Sequence, residues 1–108
     1  SMQGEYEQVI KDCTARIQAG NHTDGLYLIR ANCRFELGRY EQALSDYKAT
    51  LRINPDKPQY YYNIALCFEK LDRPDEARAA YRRYTRMAGR NAPGMEHARK
   101  RLAELQSP

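Results

Sequence analysis

The chain contains 108 residues with a net charge of +4, and 42% of them are hydrophobic and 30% charged. This composition is typical of a folded, soluble protein and excludes a disordered chain. No apolar run in the sequence approaches the length needed to cross a bilayer. The length is sufficient for one compact domain.

A first helix is predicted over residues 4–19. Its apolar residues recur three and four positions apart, which places them on one face of an amphipathic helix. These residues are Val9, Ile10, Cys13 and Ile17. Gly20 and Asn21 follow, and both residue types readily adopt the left-handed conformation that ends a helix.

Two helices are predicted next, over residues 24–37 and 40–53. Asp24 is the predicted N-cap of the earlier helix, and Gly38 is the residue at which it stops. The later helix is expected to bury a single stripe, which comprises Ala43, Leu44, Tyr47 and Leu51.

Three further helices are predicted over residues 59–71, 74–88 and 95–105, with a loop at 89–94. Pro74 is favourable in the first turn of a helix, where its missing N–H has no intrahelical partner. The last helix is apolar on one stripe and charged elsewhere, which is typical of the helix that ends a repeat array.

The sequence repeats itself at a spacing of 34 residues. Tyr27, Ala31, Cys33, Leu37, Ala43 and Tyr47 recur as Tyr61, Ala65, Cys67, Leu71, Ala77 and Tyr81. In the other direction, Gly38, Tyr40, Glu41, Gln42 and Asp46 are preceded by Gly4, Tyr6, Glu7, Gln8 and Asp12. Helix pairs with this period are the signature of the tetratricopeptide repeat.

The chain resembles the tetratricopeptide repeat family over almost its whole length. The residues that match the family pattern are Tyr27, Leu37, Gly38, Tyr40, Ala43, Tyr47 and Pro55. The resemblance implies an all-α, right-handed α-solenoid of antiparallel helix pairs, with about five helices and a C-terminal capping helix. Residues 1–108 would form a single domain that comprises the second helix of a partial repeat (4–23), two repeats (24–57 and 58–91) and the capping helix (92–106).

The resemblance also implies a non-catalytic scaffold that binds a peptide or helix of a partner protein in a concave groove. The expected peptide-binding residues are Leu28, Asn32, Phe35, Tyr62, Asn63, Leu66, Lys70, His97 and Lys100, and Ile29, Glu36, Glu69 and Glu96 share that surface. Plain helix surface is an equal alternative for Asn32 and Asn63, and packing between helices is one for Phe35 and Tyr62.

Some members of the family bind acidic C-terminal tails through a carboxylate clamp of cations and asparagines. Asn32 and Asn63 match its asparagines, but Leu28, Pro93 and His97 occupy the positions of its cations. Two asparagines without cations cannot neutralise a pair of carboxylates, so a clamp of that type is not expected.

Two arginines lie at positions where the repeat packs inward. Arg30 is expected to reach a carboxylate or a helix C-terminus. Arg34 replaces the usual aromatic residue, and we expect its stem to lie along the core with its guanidinium in water.

A basic ridge is predicted on the fifth helix, where Arg78, Arg82 and Arg86 are one turn apart. It indicates either an ordinary solvated face, which is favoured, or a site for an acidic partner, an anionic lipid or RNA. Nucleic acid is an unlikely partner. Self-association through the terminal helices, giving a homo-oligomer, is a further alternative.

No catalytic motif, metal site or cofactor site is present in the sequence, so an enzyme is not expected. His22 and His97 lie in segments with no common site. The three cysteines include no CxxC pair, which favours a reducing compartment and a cytoplasmic location. Cys33 and Cys67 are expected to pack between helices.

Overall fold

The computed structural model describes residues 1–105, and these form six α-helices with no strand. The helices are α1 (Met2–Gln18), α2 (Asp24–Glu36), α3 (Tyr40–Ile53), α4 (Pro58–Lys70), α5 (Pro74–Met87) and α6 (Met95–Leu105). The predicted all-α class and the number of helices are confirmed. Residue 106, the end of the predicted capping segment, lies outside the described residues. None of the helices within residues 1–105 is both long and apolar enough to span a membrane.

The chain divides into two compact units, Ser1–Pro55 and Asp56–Pro108. In the first unit α2 packs against both α1 and α3, and in the second α5 packs against both α4 and α6. Alanines allow the close approach of the paired helices, because Ala31 and Ala43 in the first unit and Ala65 and Ala77 in the second are completely buried.

The turns after α2 and α4 have the same hydrogen-bonding pattern. Gly38 adopts a φ of 76°, and the amide of Arg39 donates to the carbonyl of Arg34 at 2.8 Å. In the second unit Asp72 adopts a φ of 57°, and Arg73 donates to Phe68 at 2.9 Å. Both turns therefore use a left-handed residue to satisfy the last carbonyl groups of the helix.

The predicted N-cap of α2 is wrong. Thr23 is the N-cap, and its hydroxyl accepts a hydrogen bond from the amide of Leu26 at 3.4 Å. Asp24 is the first helical residue, where its negative charge interacts favourably with the helix dipole. Its carboxylate also accepts from the side chain of Asn54 at 3.3 Å, which links the two ends of the α2–α3 pair.

A buried ionic group lies in the core of the first unit. Asp46 is 3% exposed and accepts hydrogen bonds from Arg30 and Arg34. Arg30 also donates to the hydroxyl of Thr14 in α1 at 3.0 Å. The expectation that Arg30 reaches a carboxylate is confirmed, whereas a guanidinium of Arg34 in water is wrong. Asp46 holds that guanidinium at 2.9 Å because the helix pair brings the carboxylate within reach.

The cysteines are part of the helix packing. Cys13, Cys33 and Cys67 are buried and make no disulfide. Burial raises the pKa of the thiols of Cys13 and Cys33, so both stay protonated and weakly nucleophilic at neutral pH. The expectation that Cys33 and Cys67 pack between helices is confirmed.

Candidate functional site

Tyr62 and His97 join helices α4 and α6 of the second unit. The hydroxyl of Tyr62 lies 2.8 Å from Nδ1 of His97, and the two rings meet edge to face at 5.8 Å. The ring of Tyr62 also contacts Tyr84 at 5.1 Å and Tyr81 at 6.0 Å. Tyr62 is therefore held by aromatic contacts on one side and by a hydrogen bond at its tip.

Gly94 makes this arrangement of Tyr62 sterically accessible. A Cβ atom at position 94 would lie 2.7 Å from the Tyr62 ring, closer than Cβ atoms in proteins approach other heavy atoms. The amide of Gly94 donates to the hydroxyl of Tyr84 at 3.0 Å, which fixes the loop before α6 against α5. The absence of a side chain at position 94 thus allows the tyrosine to lie between the loop and α5.

A second link between α4 and α6 is centred on Glu69. Its carboxylate accepts hydrogen bonds from Tyr81 at 2.6 Å and from Nε of Arg101 at 2.8 Å. Burial disfavours the charged form of Glu69, but these hydrogen bonds outweigh it, and the pKa of the carboxyl lies below its usual value. Burial and the bond to Glu69 raise the pKa of the Tyr81 hydroxyl.

The exposed side of these two links is termed the α4–α6 face, and it comprises Tyr62, Asn63, Leu66, Lys70, His97 and Lys100. The helical period places the four α4 residues within one third of the helix circumference, and the two α6 residues are one turn apart. Tyr62, Asn63 and Leu66 are half-buried, whereas Lys70, His97 and Lys100 are exposed. The face therefore combines a partly covered aromatic ring with exposed cationic and polar groups.

A sequence profile described as tetratricopeptide repeat matches residues 28–96, which is more than half of the chain. The chain belongs to the tetratricopeptide repeat family. The resemblance inferred from the sequence is thereby confirmed.

Several solved structures share the fold. The type III secretion chaperone SycD of Yersinia enterocolitica, in complex with a peptide of the translocator YopD, is 18% identical with a TM-score of 0.85 over 95% of this chain and 81% of that one. The first tetratricopeptide domain of Spaghetti (RPAP3), bound to the HSP90 peptide SRMEEVD, is 25% identical with a TM-score of 0.82 over 97% and 83%. The tetratricopeptide domain of Arabidopsis OM64 is 21% identical with a TM-score of 0.80 over 95% and 82%. None of the curated proteins matches the chain significantly.

The remaining sequence-predicted binding residues of this tetratricopeptide protein lie in the first unit. Leu28, Asn32 and Phe35 share one side of α2, where Leu28 and Phe35 are half-buried and Asn32 is exposed. The side-chain oxygen of Asn32 accepts a hydrogen bond from the hydroxyl of Tyr47 at 2.5 Å. Phe35 packs edge to face on Tyr40 at 5.1 Å.

The predicted basic ridge is only partly exposed. Arg82 and Arg86 are exposed, but Arg78 is half-buried and forms an ion pair with Asp75 at 2.5 Å. Among the residues that the structure describes, no group of three or more histidine, cysteine or carboxylate side chains is placed to hold a metal ion.

Sequence reasoning missed two residues that shape the site. Gly94 lies in a predicted loop, and its contact with Tyr62 spans 32 positions of the chain. Arg101 follows Arg99 and Lys100 in a basic run of the sequence, but it is paired with Glu69 and Glu104. Glu104, three residues after Arg101, is the one local signal of this pairing.

Proposed function

We propose that this protein is a non-catalytic interaction module that binds a peptide or a helix of a partner protein on the α4–α6 face. The proposal agrees with the family and with similar folds that hold peptides, namely SycD with a YopD peptide and PcrH with the chaperone-binding region of PopD. We divide the chain as its period indicates, into a partial repeat (4–23), two repeats (24–57 and 58–91) and a capping segment (92–106).

The ordered ring of Tyr62 is the observation that carries the proposal. Its neighbours Tyr81, Tyr84 and His97 hold it before any partner arrives, so binding does not have to immobilise it. Tyrosine contributes a large contact area and a hydroxyl group, which is why it is enriched among residues that dominate interface energies. Leu66 lies one turn further along α4 and supplies an apolar contact beside it.

Polar groups around Tyr62 are suited to the backbone of a guest peptide. Asn63 is half-buried, and its side-chain oxygen accepts from Gln59 at 3.2 Å, which leaves the amide N–H groups to donate. In the first unit the oxygen of Asn32 is likewise engaged by Tyr47, and its amide nitrogen is directed away from that bond. Each amide can therefore donate to backbone carbonyl groups of a peptide that contacts its own unit.

The test begins with peptides selected on the intact protein from a random displayed library. The affinity of the selected peptides is measured by fluorescence anisotropy for the unaltered protein and for the double variant Tyr62→Ala/Asn63→Ala. We expect the double variant to weaken binding at least tenfold, since it removes the aromatic anchor and one backbone donor. The double variant Gln18→Ala/Ser45→Ala, at exposed positions of α1 and α3, is the control and should bind as the unaltered protein does.

Selected peptides that bind the Tyr62→Ala/Asn63→Ala variant with unchanged affinity would place the site elsewhere. Circular dichroism and thermal unfolding show whether that variant keeps its helices, so that a loss of folding is not mistaken for a loss of binding. The peptide SRMEEVD is included as a probe of the carboxylate clamp. We expect it to bind weakly, because Leu28, Pro93 and His97 occupy the positions of the clamp cations.

A further inference from the structure

The positive charge of this protein is concentrated in one segment. Residues 77–103 contain eight arginine and lysine side chains but one acidic side chain, Glu96. Two of the eight are neutralised within the fold, because Arg78 pairs with Asp75 and Arg101 pairs with Glu69. Within this segment, Glu96 is the one acidic residue that can balance the charge of the remaining six.

Three of these arginines lie together on the outer side of α5. Arg82, Arg83 and Arg86 are exposed and fall within an arc of about 100° of the helix. The opposite side of α5 is buried and comprises Ala77, Ala80, Tyr81 and Tyr84. We term this exposed group the arginine face; it faces away from the core of the second unit.

The two ends of α5 differ in how their arginines are paired. At the N-terminal end, Asp75 accepts from Arg78 at 2.5 Å and Glu76 accepts from Arg73 at 2.7 Å. Each carboxylate is three residues from its arginine, so the pairs close along the helix surface. Within residues 1–105, no ion pair is formed by Arg82, Arg83 or Arg86. The acidic partners present in the first half of the helix are missing from the second.

We propose that the arginine face is a second interaction surface, which binds an acidic peptide segment of a partner protein. The carboxylates of that segment would pair with these arginines as Asp75 and Glu76 pair with arginines at the other end of α5. Guanidinium groups suit this role, because their planar fork donates two parallel hydrogen bonds to one carboxylate. Arg82 and Arg86 are separated by one turn, about 5–6 Å, which matches the separation of acidic side chains one turn apart on a partner helix.

The surroundings of the arginine face favour a protein segment over a membrane or RNA. The exposed large hydrophobic residues of the described chain are Met2, Ile29 and Ile53, none of which lies on α5. A membrane-binding helix needs such residues to enter the lipid. Single-stranded RNA is usually held by exposed aromatic rings on which bases stack. The ring nearest the face, Tyr61, is half-buried and covered by the guanidinium of Arg83 at 5.4 Å.

The test uses a fluorescein-labelled octapeptide of glutamate, with an octapeptide of glutamine as its neutral counterpart. Binding is followed by fluorescence anisotropy with the whole chain at several salt concentrations. We expect saturable binding of the glutamate peptide at low salt and none of the glutamine peptide. The triple variant Arg82→Gln/Arg83→Gln/Arg86→Gln should bind at least tenfold more weakly, and the affinity should fall as salt rises.

A matched variant separates a local site from the effect of net charge. Lys11→Gln/Arg16→Gln/Arg52→Gln removes the same three charges from exposed positions of the first unit and should alter the affinity less than twofold. An equal loss in both triple variants, or no saturable binding of the glutamate peptide, would overturn the proposal. So would tighter binding of an eight-nucleotide uridine RNA, or binding only to phosphatidylserine vesicles.

The two proposed surfaces can fail independently. The Tyr62→Ala/Asn63→Ala variant should retain its affinity for the glutamate peptide, since the arginine face lies on α5. The arginine variant should in turn retain its affinity for the peptides selected on the α4–α6 face. Loss of glutamate binding on changing Tyr62 and Asn63 would assign the acidic peptide to the α4–α6 face and so contradict a second surface.

Discussion

Arg30 grips the carboxylate of Asp46 from one edge of its guanidinium, with Nη2 2.8 Å from Oδ1 and Nε 2.9 Å from Oδ2. Arg34 adds a third hydrogen bond to the same carboxylate. The three residues that lie 34 positions later are Ile64, Phe68 and Ala80, all apolar and all buried. The same three positions of the repeat are therefore occupied by an ionic group in one copy and by apolar side chains in the other.

Removing only the carboxylate of Asp46 should lower the stability of the protein. Asp46→Ala leaves Arg30 and Arg34 without a carboxylate at sites where their side chains are 13% and 18% exposed. Breaking a buried ion pair by deleting one partner costs about 3–5 kcal/mol, although rearrangement of these long side chains toward water will reduce that figure. Urea unfolding followed by circular dichroism measures the change.

Replacing Arg30, Arg34 and Asp46 together by apolar residues should lower the stability less than removing Asp46 alone. Arg30→Ile/Arg34→Phe/Asp46→Ala gives the first repeat the residues that its second copy carries, and no charge is left without a partner. We expect this triple variant to be more stable than Asp46→Ala alone, because apolar packing often replaces a buried ion pair without loss. Urea unfolding of both variants measures the difference. A triple variant less stable than Asp46→Ala would show that the apolar residues of the second repeat cannot replace the ionic group of the first.

The turn after α4 offers a stabilising change. Asp72 has a φ of 57°, in the left-handed region that Gly38 occupies in the equivalent turn. A left-handed conformation costs a residue with a side chain about 1–2 kcal/mol, and somewhat less for aspartate. Asp72→Gly should therefore raise the unfolding free energy by about 0.5–1 kcal/mol, as measured in urea.

The reciprocal variant, Gly38→Ala, is the control for that turn. It introduces a Cβ at a φ of 76° and should lower the stability. No atom lies within 4 Å of that Cβ position, so a loss would report backbone strain and not a clash. Equal stability of Asp72→Gly and the unaltered protein would indicate that the side chain of Asp72 contributes as much as its backbone strain costs.

Gly94→Ala should disturb the α4–α6 face directly. The added Cβ would lie 2.7 Å from the ring of Tyr62, so the ring or the loop must move. Overpacking of this kind costs about 1–3 kcal/mol. Thermal unfolding should show the loss, and the near-ultraviolet circular dichroism should change with the surroundings of Tyr62. Gly89→Ala is the matched control, because nothing lies within 4 Å of its Cβ position; a similar loss in both would exclude the contact with Tyr62 as the cause.

The sequence period predicts which residues of this fold are buried better than it predicts their hydrogen-bond partners. Tyr47 and Tyr81 lie at the same position of their repeats, and both are buried as expected. The hydroxyl of Tyr47 donates to Asn32, whereas that of Tyr81 donates to Glu69, which is three residues beyond the equivalent of Asn32. Which hydroxyl meets which acceptor depends on side chains that differ between repeats, so a pattern built from shared residues cannot show it.

The same limit explains why the predictions for Asp24 and Arg34 are wrong. Asp24 and Thr23 are both good N-cap residues, and local preference alone does not separate neighbours of this kind. The prediction that the Arg34 guanidinium extends into water is wrong because its partner, Asp46, lies 12 residues away on another helix and no local pattern links the two. Helix type and number follow from local periodicity, whereas an ion pair between helices requires the packed arrangement. The predicted stripe of α3 is only partly right, because Leu51 is half-buried while Asp46, Ala49 and Thr50 are buried.

Glu69 should make the second unit sensitive to acid. The pKa of Glu69 is lowered in the folded protein, because the bonds from Arg101 and Tyr81 outweigh the effect of burial. A carboxyl group with a lowered folded pKa contributes stability above its unfolded pKa of about 4.3, and this contribution disappears as the pH falls through the folded value. The stability difference between the unaltered protein and Glu69→Gln should therefore be larger at pH 6.5 than at pH 3, as measured by urea unfolding at each pH.

Glu96→Gln, which removes an exposed carboxylate of α6, is the control and should show a smaller change with pH. A difference for Glu69→Gln that stays constant from pH 6.5 to pH 3 would mean that the link between Arg101 and Glu69 does not depend on the charge of the carboxylate.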